Sequence, residues 1–308
     1  MAVRIGVGLG LGGFPFASIS GALRAWLDVC EDSSDRLDLA IDRVVSREPM
    51  PEPSRCWRSW PGRRVGSLGT NAIVAFFRDP ITFARQCATL DQLSEGRLLP
   101  AIGVGREDAP EWAATGRSPR GRGTRADEAL DRSRASALGA QVDFEGEHYS
   151  ARDASISPRP VQQPLPLWLG GASPAAIRRT VRFGNGWLAP LQGPDEAGLV
   201  VKAIREEGHR QGRPIPDDHF GATILFHLGA AAGHESFPIA GVPRDPALAR
   251  RLGEVQAVGD AGAVLDRIRA FRAQGVTKFV AIPMARDAAG MIEQCRLLDR
   301  EVIPHAND

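Results

Sequence analysis

Several things are scarce or missing in this 308-residue sequence, and each absence removes a class of function. Lysine stands only at 202 and 278, so 36 of the 38 basic residues are arginine, a bias that fits a GC-rich coding sequence rather than an arginine-based task. Tyrosine occurs once, at 149. The four cysteines, at 30, 56, 87 and 295, form no C-x-x-C pair, which argues against a zinc ribbon or a redox motif. Cys87 and Cys295 fall on apolar faces of predicted helices and read as small core residues. No run approaches ~18 apolar residues, so no membrane-spanning helix is expected. The start, MAVRIGVGLGLGGF, lacks a charged leader, a long apolar stretch and a cleavage site, so the expectation is a cytoplasmic protein without a signal peptide. The six histidines show no H-E-x-x-H or other metal-ligand spacing, and no metal is expected. Neither a P-loop nor a G-x-S-x-G nucleophile elbow is present. A formal charge of +1 argues against nucleic acid or an anionic membrane as partner.

What is present is an ordinary globular composition, 43% apolar and 24% charged. Eight short apolar runs recur along the chain: Val3–Val7, Leu37–Val45, Val65–Val74, Leu98–Val104, Leu165–Leu169, Gly186–Ala189, Phe220–Leu228 and Lys278–Ile282. Segments of helical periodicity lie between them, such as Phe83, Ala84, Cys87 and Leu90, or Val264, Leu265, Ile268 and Phe271, or Met291, Ile292, Cys295 and Leu298. Asp79-Pro80, Ser173-Pro174 and Gly193-Pro194 each set a capping residue before a proline at the first helical position. Asp260 and Asp287 are further cap candidates, and Gly275 is a helix stop. Strand–helix alternation repeated about eight times predicts an α/β fold, a (β/α)8 TIM barrel forming one domain. The stretches Pro110–Arg125 and Gly229–Ala257 would be insertions after strands four and seven, and loops at the strand C-termini would build the active site.

Glycines mark those strand ends. Gly8, Gly10 and Gly13 match the dinucleotide pattern G-x-G-x-x-G, but Phe14-Pro15-Phe16 stands where a Rossmann helix should begin. Gly170-Gly171-Ala172-Ser173 sits between a strand and a proline-started helix, where bare N–H groups, a hydroxyl and the helix dipole can hold a phosphate. The plainer alternative is an ordinary turn with an N-cap serine. Gly103-Val104-Gly105-Arg106 ends strand four in the same manner.

Ordered strings then accumulate: Gly69 to Val74, Arg78-Asp79-Pro80, Ala84 to Asp91, Leu93 to Leu98, Phe144 to Tyr149, Arg159 to Gln162, Pro166 to Gly171, Gly184 to Leu188, Val258 to Asp260, and Gly275-Val276. Together they resemble the bacterial luciferase-like monooxygenase family over residues 65 to 285 and strand one. The resemblance implies a barrel binding a flavin or deazaflavin at the strand C-termini, with hydride transfer or oxygen activation on reduced flavin. The sequence around Leu98 to Ala101 and Gly170-Gly171 looks most like members using coenzyme F420, so F420 is preferred over FMN. Carried over residue by residue, the resemblance puts Thr70, Asn71 and Ala72 beneath the ring, with a non-proline cis peptide at Asn71–Ala72. It puts Gly103, Gly105 and Arg106 near the ribityl chain, Gly170, Gly171, Ala172 and Ser173 on the phosphate, and Trp187 at the ring's border. It also implies a small-molecule substrate, a flavin or F420 reductase as possible supplier, and a homodimer.

Two stretches depart from that pattern. Residues 33–42 read SSDRLDLAID where relatives have a tryptophan-bearing strand two, and 54–68 hold Trp57, Trp60 and four arginines where an alanine- and leucine-rich helix belongs. Back-translated into GC-rich codons, each stretch read in another frame yields the family's pattern, so both are read as locally frame-shifted. Arginines in place of an apolar helix face would resist burial.

The catalytic candidates are few. His227, near the end of strand seven, could face the pocket as acid or base, or be structurally bonded. Glu107 follows strand four and could reach substrate, or be a solvated loop charge. Hydride transfer to a bound flavin needs chiefly orientation, so the lack of a triad does not exclude an enzyme. The rival readings are a hydrolase or lyase on the same barrel, which would need an acid/base pair not found here, and a degenerate, non-catalytic flavin-binding barrel.

Overall fold

The computed structural model describes residues 2–8, 21, 24–26, 28–29, 37–40, 66–137, 142–229 and 246–308, with the backbone alone for 37–40, 134–137, 142 and 246–248. Eight parallel strands form the centre. They begin with β1 (Arg4–Gly8), β2 (Leu37–Ala40) and β3 (Ser67–Thr70). The fourth is broken by Pro100 into β4 (Leu98–Leu99) and β5 (Ala101–Ile102). A proline cannot donate to a ladder, so the break falls where the missing N–H would have been, while the Pro100 carbonyl still accepts from Trp168 N at 3.0 Å.

β4 pairs with β3, and β5 pairs with β8 (Trp168–Gly170), so the sheet order starts and ends on the same piece of chain. Between these lie β9 (Gly186–Leu188), β10 (Phe220–Leu228) and β12 (Lys278–Pro283), with β12 pairing β1. The sheet therefore closes into the expected (β/α)8 barrel. Strand two is in place: Leu37–Ala40 pairs parallel with both β1 and β3. The rest of the departing stretches, 33–36, 41–42 and 54–65, lies outside the described residues.

The helices start where capping chemistry demands. The Asp79 carboxylate accepts from Thr82 N (2.8 Å) to open α1 (Pro80–Leu93). After the short α2 (Glu111–Ala114) and α3 (Arg122–Ala137), Ser173 caps α4 (Pro174–Phe183). Gly193-Pro194 opens α5 (Pro194–Arg210), whose first turn carries Asp195 and Glu196 and whose last carries His209 and Arg210, as the helix dipole favours. α6 (Pro246–Val255) precedes α7 (Ala261–Ala273), capped by Asp260, and α8 (Ala288–Leu297), capped by Asp287.

Both insertions are present. The one after strand four holds α2 and the head of α3, and α3 leads into an antiparallel hairpin, β6 (Val142–Glu145) with β7 (Ser150–Ala154). Residues 230–245 of the second lie outside the described residues; its remainder is α6 and β11 (Gln256–Gly259), a strand that periodicity did not reveal and that pairs with β10.

The barrel is filled from below. Trp168 points inward, and the ideal Cβ of a side chain at Gly221 would come within 2.8 Å of its ring. Gly186 leaves room for the same indole. Lys278 lies 5.6 Å over that ring and bonds Asp218. Burial lowers the Lys278 pKa against the pull of Asp218.

Candidate active site

Inward and outward positions along each strand follow from the pleat. Gly221 faces the Trp168 ring and Thr223 meets Asn71 of the opposite wall, so β10 points Gly221, Thr223, Leu225 and His227 into the barrel. By the same alternation Gly103 and Gly170, at the ends of strands four and five, face the mouth. Among the described residues, a Cβ at Gly103 would meet nothing nearer than Ala72 Cβ at 3.9 Å, and one at Gly170 only backbone oxygens, the nearer at 3.5 Å. Two neighbouring strand ends thus present backbone without a side chain at the mouth.

Beside this gap stands the end of strand three. Thr70 is buried, its Oγ1 donating to Ala101 O (2.7 Å) and accepting from Ala101 N (2.9 Å), which locks strands three and four together above the proline break. The Asn71–Ala72 peptide is cis, as the resemblance implied. The Asn71 side-chain amide donates to Thr223 Oγ1 at 2.9 Å.

The turn after strand five is shaped by Gly171, whose φ of +111° is left-handed backbone and whose Cβ would collide with Ala176 at 2.8 Å. Ser173 Oγ accepts from Ala176 N at 3.2 Å. A hydroxyl that accepts one bond keeps its proton to give, and Ser173 is exposed. Cap and anion donor are therefore compatible roles, at the positive end of α4.

Trp187 is placed differently from expectation. Gly186 and Leu188 share the barrel-facing side with Trp168, so the residue between them points outward toward the helices. Trp187 is wholly buried there, and its Nε1 donates to Gly171 O at 2.9 Å. It supports the turn and does not border the mouth.

The loop after strand four is anchored by a residue the sequence reading missed. Trp112 of α2 is buried, stacks edge-on against Phe77 at 4.5 Å and donates from Nε1 to the Arg106 carbonyl at 2.7 Å. A tryptophan inside a polar insertion was the available signal. Arg106 itself forms a two-pronged bond to Asp108 (2.9 and 2.6 Å) and is largely exposed, and this bond holds the Asp108 carboxyl below its usual range. Glu107 is also exposed and pairs with Arg122 at 3.1 Å, the geometry of a solvated loop charge.

His227 is partly buried near the top of β10, its Nδ1 2.9 Å from Met284 O. A carbonyl only accepts, so Nδ1 is the donor in this bond. The strand end is held further by Gln294, whose Oε1 accepts from Leu228 N (2.6 Å) and whose Nε2 donates to Leu228 O (2.9 Å). No sequence signal marked Gln294.

A barrel with glycines at the ends of strands four and five, a Ser173-capped helix after strand five and a cis peptide ending strand three belongs to a recognisable class. The chain belongs to the luciferase-like monooxygenase family, whose model matches residues 67–235, more than half its length. It is 30% identical over 174 residues to an F420-dependent glucose-6-phosphate dehydrogenase of Mycolicibacterium fortuitum, covering 53% of this chain and 51% of that protein. The chain thus spans about half the length of the curated relatives it matches. Among solved structures it superposes on an F420-dependent secondary alcohol dehydrogenase bound to an F420–acetone adduct, at TM-score 0.80 and 18% identity over the whole of both chains. It superposes on the monooxygenase RslO1 of Streptomyces bottropensis at TM-score 0.79 and 18% identity, covering 98% and 99% of the two chains. At these identities the structures establish the barrel fold. No helix among the described residues is long and apolar enough to cross a membrane.

Proposed function

We propose that this protein is an oxidoreductase that binds a flavin or deazaflavin in the mouth of the barrel, with coenzyme F420 preferred over FMN, and acts on a small organic substrate. The observation that carries this reading is the pair of glycine strand ends, Gly103 and Gly170, which face the mouth without a side chain next to the Ser173-capped helix. A flat ring needs close backbone approach, and a phosphate needs N–H and O–H donors at a helix start. Relatives named for F420 support the preference among cofactors.

Once bound, such a ring supplies hydride donor or acceptor chemistry, or oxygen activation in the reduced flavin. The chain's own part is orientation. Asn71, held by Thr223, would form the wall beneath the ring. Gly170, Gly171, Ala172 and Ser173 would hold the phosphate, with Trp187 bracing the turn through Gly171 O. Gly103, Gly105 and Arg106 would hold the ribityl chain. His227, near the top of β10, would be the residue to hold or pass a proton at a substrate hydroxyl. A homodimer and a reductase that supplies the reduced cofactor belong to the same proposal.

The test is equilibrium binding of the purified chain to F420 and FMN, each oxidised and reduced, followed by fluorescence. Binding of F420 at micromolar concentrations, with FMN weaker, is the expected outcome. His227→Asn is expected to keep that binding while turnover drops by about 10²-fold or more. A folded protein that binds neither cofactor below millimolar concentrations would overturn the reading.

A further inference from the structure

Behind strands four and five, on the side away from the barrel axis, lies a cavity of about 100 Å³. Leu99 and Ala101 point to the axis, so their neighbours Pro100 and Ile102 point outward and form the cavity floor. Phe83 and Cys87 of α1, and Ala129 and Ser133 of α3, close it from the helix layer, each pair four residues apart on one helix face. The strand wall thus stands between this cavity and the mouth. Gln163 and Pro164 also line it and are exposed, so it reaches the surface along their segment.

Its chemistry is apolar. Phe76, Phe83 and Phe183 contribute buried rings, and Pro80, Pro100, Pro160 and Pro164 add rings with no N–H to donate. The polar side chains on the wall are turned to partners within the chain. Ser133 Oγ donates to Pro80 O (3.2 Å), and Gln162 Nε2 donates to Asp91 Oδ1 (2.7 Å) and Leu98 O (2.9 Å). Gln163 Nε2 donates to Pro160 O (3.3 Å), Asn185 Oδ1 accepts from Leu167 N (3.1 Å), and Arg213 donates to the Val181 carbonyl. Among the described residues, no buried side-chain polar atom that lacks a partner belongs to this wall. The Cys87 thiol, whose pKa burial pushes up to about 12, adds no charge.

Protein cores hold few voids larger than a water molecule, because the walls of each forgo contacts. A bound water needs several polar partners, which this wall does not offer. We propose that the cavity is a binding site for one small apolar molecule, a single hydrocarbon ring. A cavity of the same order, ~150 Å³ and lined by Leu, Ile and Phe, takes up benzene. The phenylalanine rings here offer such a guest the edge-to-face contacts that aromatic pairs favour.

The experiment titrates the full chain with benzene in sealed cells and follows thermal melting, with benzoate at matched ionic strength as the charged counterpart. Saturable stabilisation by benzene and none by benzoate is expected. Ala129→Leu and Cys87→Met each carry added atoms into the cavity, from two different helices. Each should weaken the benzene effect by about tenfold or more, since the guest and the added atoms compete for one space. Where Ala129→Leu overpacks and unfolds the chain, Cys87→Met, the smaller change, carries the test. No saturable effect of benzene on the parent chain, an equal effect of benzoate, or a benzene effect unchanged in a folded cavity variant overturns the proposal.

Discussion

Asn71 and Thr223 stand 152 residues apart in sequence and meet across the barrel through a 2.9 Å hydrogen bond from the Asn71 amide to the Thr223 hydroxyl. The bond ties the cis peptide at the end of strand three to the middle of strand seven. Thr223→Val keeps the shape and removes the acceptor, leaving the amide unmatched. The expected cost is ~1–3 kcal/mol of stability by thermal or denaturant melting, with a weaker cofactor complex in the fluorescence titration. Unchanged melting and binding would show that the pair has no positioning role.

Ser173 has two roles that one substitution can separate. Ser173→Ala removes the cap of α4, with a cost of ~1 kcal/mol. Ser173→Asp keeps a good cap but sets a negative charge where a phosphate is proposed to sit. Melting should therefore stay near the parent value in Ser173→Asp while cofactor binding falls by at least about tenfold. Equal binding in both variants would separate the phosphate from this turn.

Trp187→Phe keeps most of the buried ring and deletes the bond to Gly171 O. A loss of ~1 kcal/mol is expected, since the partly buried Gly171 carbonyl is left without that donor. Cofactor affinity should fall through the loosened turn although Trp187 does not reach the mouth. Quenching of Trp187 fluorescence by an aqueous quencher in the apo protein would contradict the placement.

Cys87 sets an alkaline limit. Burial, with a smaller push from Asp91 and an opposing pull from Arg78, raises its pKa from 9.0 to about 12. The unfolded thiol loses its proton above pH 9 while the folded one keeps it, so this contribution to stability is complete below pH 9 and is lost as pH rises toward 12. The slope is about 1 kcal/mol for each pH unit. In Cys87→Ala, the decline in folding free energy between pH 9 and 12 should be shallower by that amount.

The sequence disclosed most of what local chemistry controls. All five expected caps, at Asp79, Ser173, Gly193, Asp260 and Asp287, open helices, because a first-turn proline or a short acceptor side chain acts within one turn. Strand seven runs over Phe220–Leu228 as its apolar run predicts. What was not legible depends on neighbours. The role of Trp187 was misjudged because a strand-end aromatic reads the same inward or outward until the pleat is phased by Trp168 and its two glycines. β11 escaped because its short run Gln256–Gly259 has no alternation of its own and is a strand only through β10. Gln294 acts through Leu228, 66 residues away, and Trp112 through Phe77 in another part of the chain, pairings that no spacing rule encodes.

The tryptophan at the bottom of the barrel has one more consequence. With Trp168 filling the axis and Lys278 lying across it, the barrel is a cup, stoppered at one end. Whatever enters must leave by the way it came. A cofactor lying deeper than its substrate would then be first in and last out, and the order of the kinetic mechanism would follow from one indole ring at the far end of the molecule.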